Sequence, residues 1–261
     1  MDSNRIFRPV LWLLILSDAF FGLAATIAPA TFASLVGFAG TDLFTYRLAG
    51  AATFAYAIGL VAGTRASWVE LRIPIASALT FNAASIVACL VAINGGGAPP
   101  IVFAVLLAAI AFTAGTWLLL NQPPLRAAGK ARAELERPIA DWLVVLYVVG
   151  VVTAAVFGLA PILLGGQFGV LVGASGDDAF VYRMAGAATL GAAVGGILVL
   201  QSRRWSATRL PTLMAVTFNG LSVIAAIVEV IRGGPPIAFL ILGAAGLTTV
   251  GMGLALARKG R

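Results

Sequence analysis

Histidine is absent from this chain of 261 residues, and cysteine (Cys89) and lysine (Lys130, Lys259) are nearly so. Without histidine, the commonest ligand for haem, chlorophyll-type pigments and transition metals is missing, as is the usual proton shuttle near neutral pH. One cysteine within an apolar run leaves no intramolecular disulfide and no thiolate metal cluster, and it reads as a packing residue. Both lysines fall in polar segments, which argues against a Schiff-base lysine inside a span. Charge of either sign is sparse: 10% of residues are charged against 61% hydrophobic, and the mean hydropathy is +1.02. Those values lie far outside soluble globular domains. The chain reads as an all-α integral membrane protein. The net charge of +7 then reports which side of the membrane carries the loops, and no nucleic-acid partner is expected.

Spanning helices need about 20 mostly apolar residues each. Runs of that kind occur at Pro9 to Ala28, Leu43 to Gly63, Ile73 to Ile93, Ile101 to Leu120, Ile139 to Ala160, Ala179 to Leu200, Leu210 to Ile231 and Pro236 to Ala257. The first resembles the start of a signal peptide, but its length and the lack of a small-residue cleavage site before a soluble domain make it a retained span. Charge tests the count of eight. With eight spans, 14 of the 17 basic residues collect on the side of the termini, and only Arg47, Arg183 and Arg232 fall on the other. That asymmetry predicts an inner cell-membrane protein with both termini cytoplasmic.

The chain is also built twice. Tyr46-Arg47-Leu48-Ala49-Gly50-Ala51-Ala52-Thr53 returns as Tyr182-Arg183-Met184-Ala185-Gly186-Ala187-Ala188-Thr189. Phe32 to Gly37 matches Phe168 to Gly173, Ala78 to Ser85 matches Ala215 to Ser222, and Gly96-Gly97-Ala98-Pro99-Pro100 shortens to Gly233-Gly234-Pro235-Pro236. The predicted organisation is a four-helix repeat at 1–122, a cytoplasmic linker at 123–138 and a second repeat at 139–261. An even number of spans per unit gives both copies the same orientation. The interface between such parallel halves is the natural place for a shared cavity or a partner.

A four-helix unit with an external turn after its first span (Pro29 through Phe32 to Gly37) and an arginine-led, Gly/Ala-rich second span resembles the DoxX-like small membrane proteins. The resemblance implies the four-helix unit in each half. It implies no particular chemistry, because that grouping has varied roles, and its members carry one unit where this chain carries two.

Several residues are candidates for function. Arg47 and Arg183 can serve as paired cationic anchors for an anionic ligand, lipid phosphate or partner carboxylate. They can equally be helix-end anchors paired with Asp42, or with Asp177 or Asp178, while Tyr46 and Tyr182 sit in an aromatic belt. Gly50, Gly59 and Gly63 in one span, and Gly186, Gly191 and Gly195 in another, let helix backbones approach closely, within the chain or against another subunit. Asn82 with Ser85, and Asn219 with Ser222, share a helix face near mid-span. They either hydrogen-bond between helices of one half or line a central pathway.

Asp18 lies near the middle of the first span and has no acidic counterpart in the second half. It is either a proton or cation site or a structural group bonded to Asn82, Asn219 or a hydroxyl. Glu229 is expected to pair with Arg232 three residues on, and Phe32, Leu35 and Val36 fit a short interfacial helix. The glycines after Asn94 lack the lysine and hydroxyl residue of a phosphate loop.

The composition predicts no catalytic centre and no metal site. No cofactor is predicted, while a bound lipid or apolar pigment held by packing would leave no trace in the sequence. Two functions follow: a non-catalytic accessory or assembly subunit of a membrane complex, docking protein subunits through Gly/Ala-rich faces, or a transporter or binding protein for a small anionic or amphiphilic solute.

Overall fold

The computed structural model describes residues 4–121 and 137–259, with side chains from residue 8 onward. All of the predicted 123–138 linker except Arg137 and Pro138 lies outside the described residues. Among the described residues the fold is 84% helical and has no strand, and its helices are those that follow. Ten helices follow in order: α1 (Asn4–Ile27), α2 (Pro29–Val36), α3 (Leu43–Gly63), α4 (Trp68–Asn94), α5 (Pro100–Leu120), α6 (Asp141–Leu164), α7 (Gly166–Leu171), α8 (Ala179–Ser202), α9 (Trp205–Ile231) and α10 (Ile237–Ala257). All but the short α2 and α7 are long and apolar enough to cross a membrane.

Several boundaries differ from the sequence reading, among them the start of α1, at Asn4 rather than Pro9. Helices α4 and α9 begin at Trp68 and Trp205 rather than Ile73 and Leu210. Glu70 accepts from the Ser67 backbone N–H at 3.0 Å, which fastens the start of α4 upstream of the apolar run. Pro74 and Pro211 therefore lie inside these helices, each removing one backbone donor near a helix start. Helix α6 runs through Pro161 to Leu164 instead of ending at Ala160.

Helix pairing follows from where glycine permits contact. Gly50 of α3 lies so close to α1 that a Cβ there would sit 2.7 Å from the Gly22 carbonyl oxygen. A Cβ on Gly186 of α8 would sit 2.6 Å from the Gly158 carbonyl oxygen of α6. Helix α1 thus pairs with α3 and α6 with α8, while α4 pairs with α5 and α9 with α10. The pairs then join across the halves: α3 lies along α9 and α4 along α8, whereas α3 meets α4, and α8 meets α9, only slightly. Gly191 of α8 packs on the Tyr56 hydroxyl and the Ser77 carbonyl, Gly195 on the Ser77 hydroxyl, and Gly59 on Met214. Gly63 packs on Leu71. All six of these glycines are used inside the chain.

The core at mid-depth is shared by both halves: Ala52, Ala55, Tyr56, Ala78 and Phe81 pack with Ala187, Ala188 and Met214. The expected shared cavity is, at this depth, a packed seam. The bundle's surface carries the lipid-type side chains, among them Leu13, Leu16, Leu107, Val145, Val152 and Leu247. At the end that holds the termini, Ile139 N–H donates to Arg203 O and Trp205 N–H to Arg137 O, both at 3.0 Å. Helices α2 and α7 cap the opposite end, where Phe32 and Phe168 turn ring edges to Tyr46 and Tyr182.

A Cβ on Gly22 would lie 2.6 Å from the backbone nitrogen of Phe54, which no side-chain movement relieves. Gly22→Ala is expected to cost about 1–3 kcal/mol. Gly150→Ala, where nothing lies within 4 Å, should be neutral or stabilising by up to about 1 kcal/mol. Thermal unfolding of the two variants in detergent measures the difference.

Candidate functional site

Besides Glu70, the buried acidic groups of the described residues lie in two places. The first is at the α2/α7 end, where α3 and α8 begin. Asp42 precedes α3 and accepts from the Thr45 N–H at 3.3 Å and the Thr45 hydroxyl at 2.9 Å, which satisfies an orphan donor of the first turn. Its Oδ2 also accepts from the Tyr182 hydroxyl of the other half. Asp178, preceding α8, accepts from the Tyr46 hydroxyl at 2.8 Å and from the Ala39 and Gly40 N–H groups at 3.0 and 2.8 Å. Each half therefore gives its tyrosine to the other half's aspartate. Thr41 extends the seam, donating to Asp177 Oδ2 at 2.8 Å and meeting the Ser175 hydroxyl at 3.0 Å.

This arrangement corrects several expectations. Tyr46 and Tyr182 are 1% and 3% exposed, so they form a buried clasp rather than an aromatic belt. Their bonds engage Asp42 and Asp178, so neither aspartate is an arginine's partner. Arg47 instead faces Glu229 of α9, Nη1 to Oε2 3.9 Å, so the acid expected to pair with Arg232 lies across the halves from Arg47 and pairs with it. Arg183 pairs with neither Asp177 nor Asp178 and rests against Gly165, at the junction of α6 and α7.

The mid-span amides and hydroxyls turn inward on their own helices. Asn82 donates to Ala78 O at 2.7 Å, Asn219 to Ala215 O at 2.8 Å, Ser85 to Phe81 O and Ser222 to Phe218 O, both at 2.8 Å. The expectation of interhelical bonds is thus replaced by back-bonding to the carbonyl one turn earlier. The polar bridge between halves at this depth is one the sequence reading missed: the Tyr56 hydroxyl donates to the Ala188 carbonyl at 2.7 Å. Also missed is Glu70 of α4, which accepts from Arg209 of α9 at 2.8 Å. Its signal lies in Ser67-Trp68-Val69-Glu70, the spacing of a capping box.

The second place is Asp18 on α1. It is 6% exposed, its Oδ2 is buried with no hydrogen-bond partner, and no cation pairs with it among the described residues. Neither Asn82 nor Asn219 is hydrogen-bonded to it: the bond each amide makes is to its own helix. No group of three or more acidic or cysteine side chains that could hold a metal ion occurs among the described residues.

No protein-family model, curated protein or solved structure matches this chain.

A buried hydrogen bond to a charged acceptor contributes about 1.5–3 kcal/mol. Tyr46→Phe and Tyr182→Phe should each lower stability by that order. Because both bonds close the same seam, the double variant should lose less than the sum, measured as a coupling energy in a double-mutant cycle of thermal or denaturant unfolding.

Proposed function

We propose that this integral membrane protein binds and carries a small amphiphilic solute, with Asp18 as the group that exchanges a proton or cation during the cycle. The observation that carries this reading is a carboxyl near the middle of the Arg8–Ile27 span that is buried and has no donor to its Oδ2. Ionisable groups at membrane depth are costly and are retained where they act. Charge on Asp18 requires a counter-ion, a path to water or a helix rearrangement, and each of these is an event a carrier can couple to solute movement. The reading takes the two halves as parallel, DoxX-like units with both termini cytoplasmic, supported by the internal repeat, the basic-residue asymmetry and the reciprocal Tyr–Asp bonds.

The accessory-subunit reading rests on a different face. Since the six repeat-motif glycines pack within the chain, docking would fall to α10, where Gly243 and Gly253 have nothing within 4 Å and Leu247, Val250 and Leu254 are exposed. Close approach of a partner helix is what such glycines permit. Mild solubilisation followed by mass spectrometry separates the two: a protein retained at one copy per chain favours the subunit, a lone chain the carrier.

The carrier reading predicts that liposomes holding the purified protein and a trapped pH dye show proton movement only when an amphiphilic weak acid from a test panel is added. In Asp18→Asn, helical by circular dichroism, that movement should fall to the empty-liposome background. Asp18→Asn transporting at the wild-type rate, or protons moving with no solute dependence, would sink the reading.

A further inference from the structure

Arg47 and Arg183 are counterparts in the repeat, yet their surroundings differ in kind. Arg47 has an acid: Glu229 lies 3.9 Å away, and the two side chains are 12% and 17% exposed. Matched through Thr80-Phe81-Asn82 and Thr217-Phe218-Asn219, the position corresponding to Glu229 in the other half is Ala92. Arg183 thus lacks the acid that its counterpart uses. The two aspartates nearest to it in sequence are engaged elsewhere, Asp177 by Thr41 and Asp178 by Tyr46, Ala39 and Gly40.

The second half also makes room where the first does not. Gly165, with φ +56° and ψ −125°, takes a conformation that side chains rarely adopt. A Cβ there would lie 2.5 Å from Nη2 and 2.6 Å from Cζ of Arg183. Counting back from the Tyr182/Tyr46 match, the corresponding residue in the first half is Pro29, which carries a side chain where the second half has none. The guanidinium of Arg183 therefore lies half-buried beside a glycine, its Nε shielded from solvent and without an acceptor among the described residues. It stands in the second turn of α8, near a span end, at the depth where headgroup phosphates lie.

We propose that Arg183 is the anchor of an anion site for a phosphate-type oxyanion, presented by a lipid headgroup or free in solution. A guanidinium offers paired N–H donors that match two oxygens of such a group, and one whose Nε is already shielded from solvent loses little further hydration in making them. At Arg47 the carboxylate of Glu229, 3.9 Å away, stands where such an anion would sit, so the proposal places one site in the chain. The inference rests on the carrier reading only in naming its ligand class. It is tested by binding alone, so it can fail while Asp18-dependent transport survives, and the reverse.

The full-length protein in neutral detergent is titrated with phosphatidylglycerol and, separately, with inorganic phosphate, and bound species are counted by native mass spectrometry. Wild type is expected to retain one phosphatidylglycerol that Arg183→Gln binds about tenfold or more weakly and that Arg183→Lys largely retains. Displacement of the lipid by inorganic phosphate assigns the site to a free anion, and indifference to phosphate assigns it to the headgroup. Glu229→Gln, which frees Arg47, should bind a second equivalent, and this arm holds even if Arg183→Gln does not fold. Wild-type affinity in Arg183→Gln, no retained phosphatidylglycerol or phosphate in wild type, or unchanged stoichiometry in Glu229→Gln overturns the proposal.

Discussion

Hydrocarbon supplies no hydrogen-bond partners, so every polar group inside the bundle must be satisfied by the chain itself. Hydroxyls and amides bond to the carbonyl one turn back, as Thr53, Thr80, Asn82, Thr189, Thr217 and Asn219 do. Tyrosines reach across the halves to Asp178, Asp42 and the Ala188 carbonyl. Buried atoms without a partner occur on Asp18, Arg47, Thr113, Arg137, Arg183 and Ser206. Arg47 retains Glu229, Arg137 donates through Nη2 to Lys259, and Thr113 and Ser206 are neutral hydroxyls. Among the described residues, the two ionisable side chains that the rule leaves over are Asp18 and Arg183.

The same constraint shapes how the halves meet. Polar reach across a seam requires close backbones, and Gly191 and Gly195 supply that closeness at the Tyr56 and Ser77 crossing. The halves are then fastened at both ends, by the Tyr–Asp exchange on one side and by Glu70 with Arg209 on the other. Opening the seam at either end would break the fastening there. Between them the packed core of Tyr56, Phe81, Ala187 and Met214 closes the bundle at mid-depth.

Much of the architecture is legible in the sequence because hydropathy over some 20 residues and the recurrence of Tyr-Arg and Thr-Phe-Asn are local properties. The partners of Arg47 and Tyr46 are not legible for the opposite reason. They depend on α3 lying along α9 and beside α8, pairings between distant segments that the order of spans does not dictate. Arg47 next to Asp42 in sequence suggests an ion pair, yet Asp42 is turned to Thr45 and Tyr182. Asp42 and Asp178 recurring in frame with Tyr46 and Tyr182 would have marked the clasp, since one exchanged bond implies its mirror. The distinction between Arg47 and Arg183 was also within reach, in the replacement of Ala92 by Glu229 and of Pro29 by Gly165, once the facing helices are known.

The central claim is that Asp18 is held without a partner in the resting protein and gains or loses a proton as the bundle rearranges. Infrared difference spectroscopy of the reconstituted protein, recorded across a pH titration, reads a buried carboxyl directly. The account predicts a protonated-carboxyl stretch in wild type that changes with pH and is absent in Asp18→Asn. A spectrum with no such band, or one identical in Asp18→Asn, would contradict it.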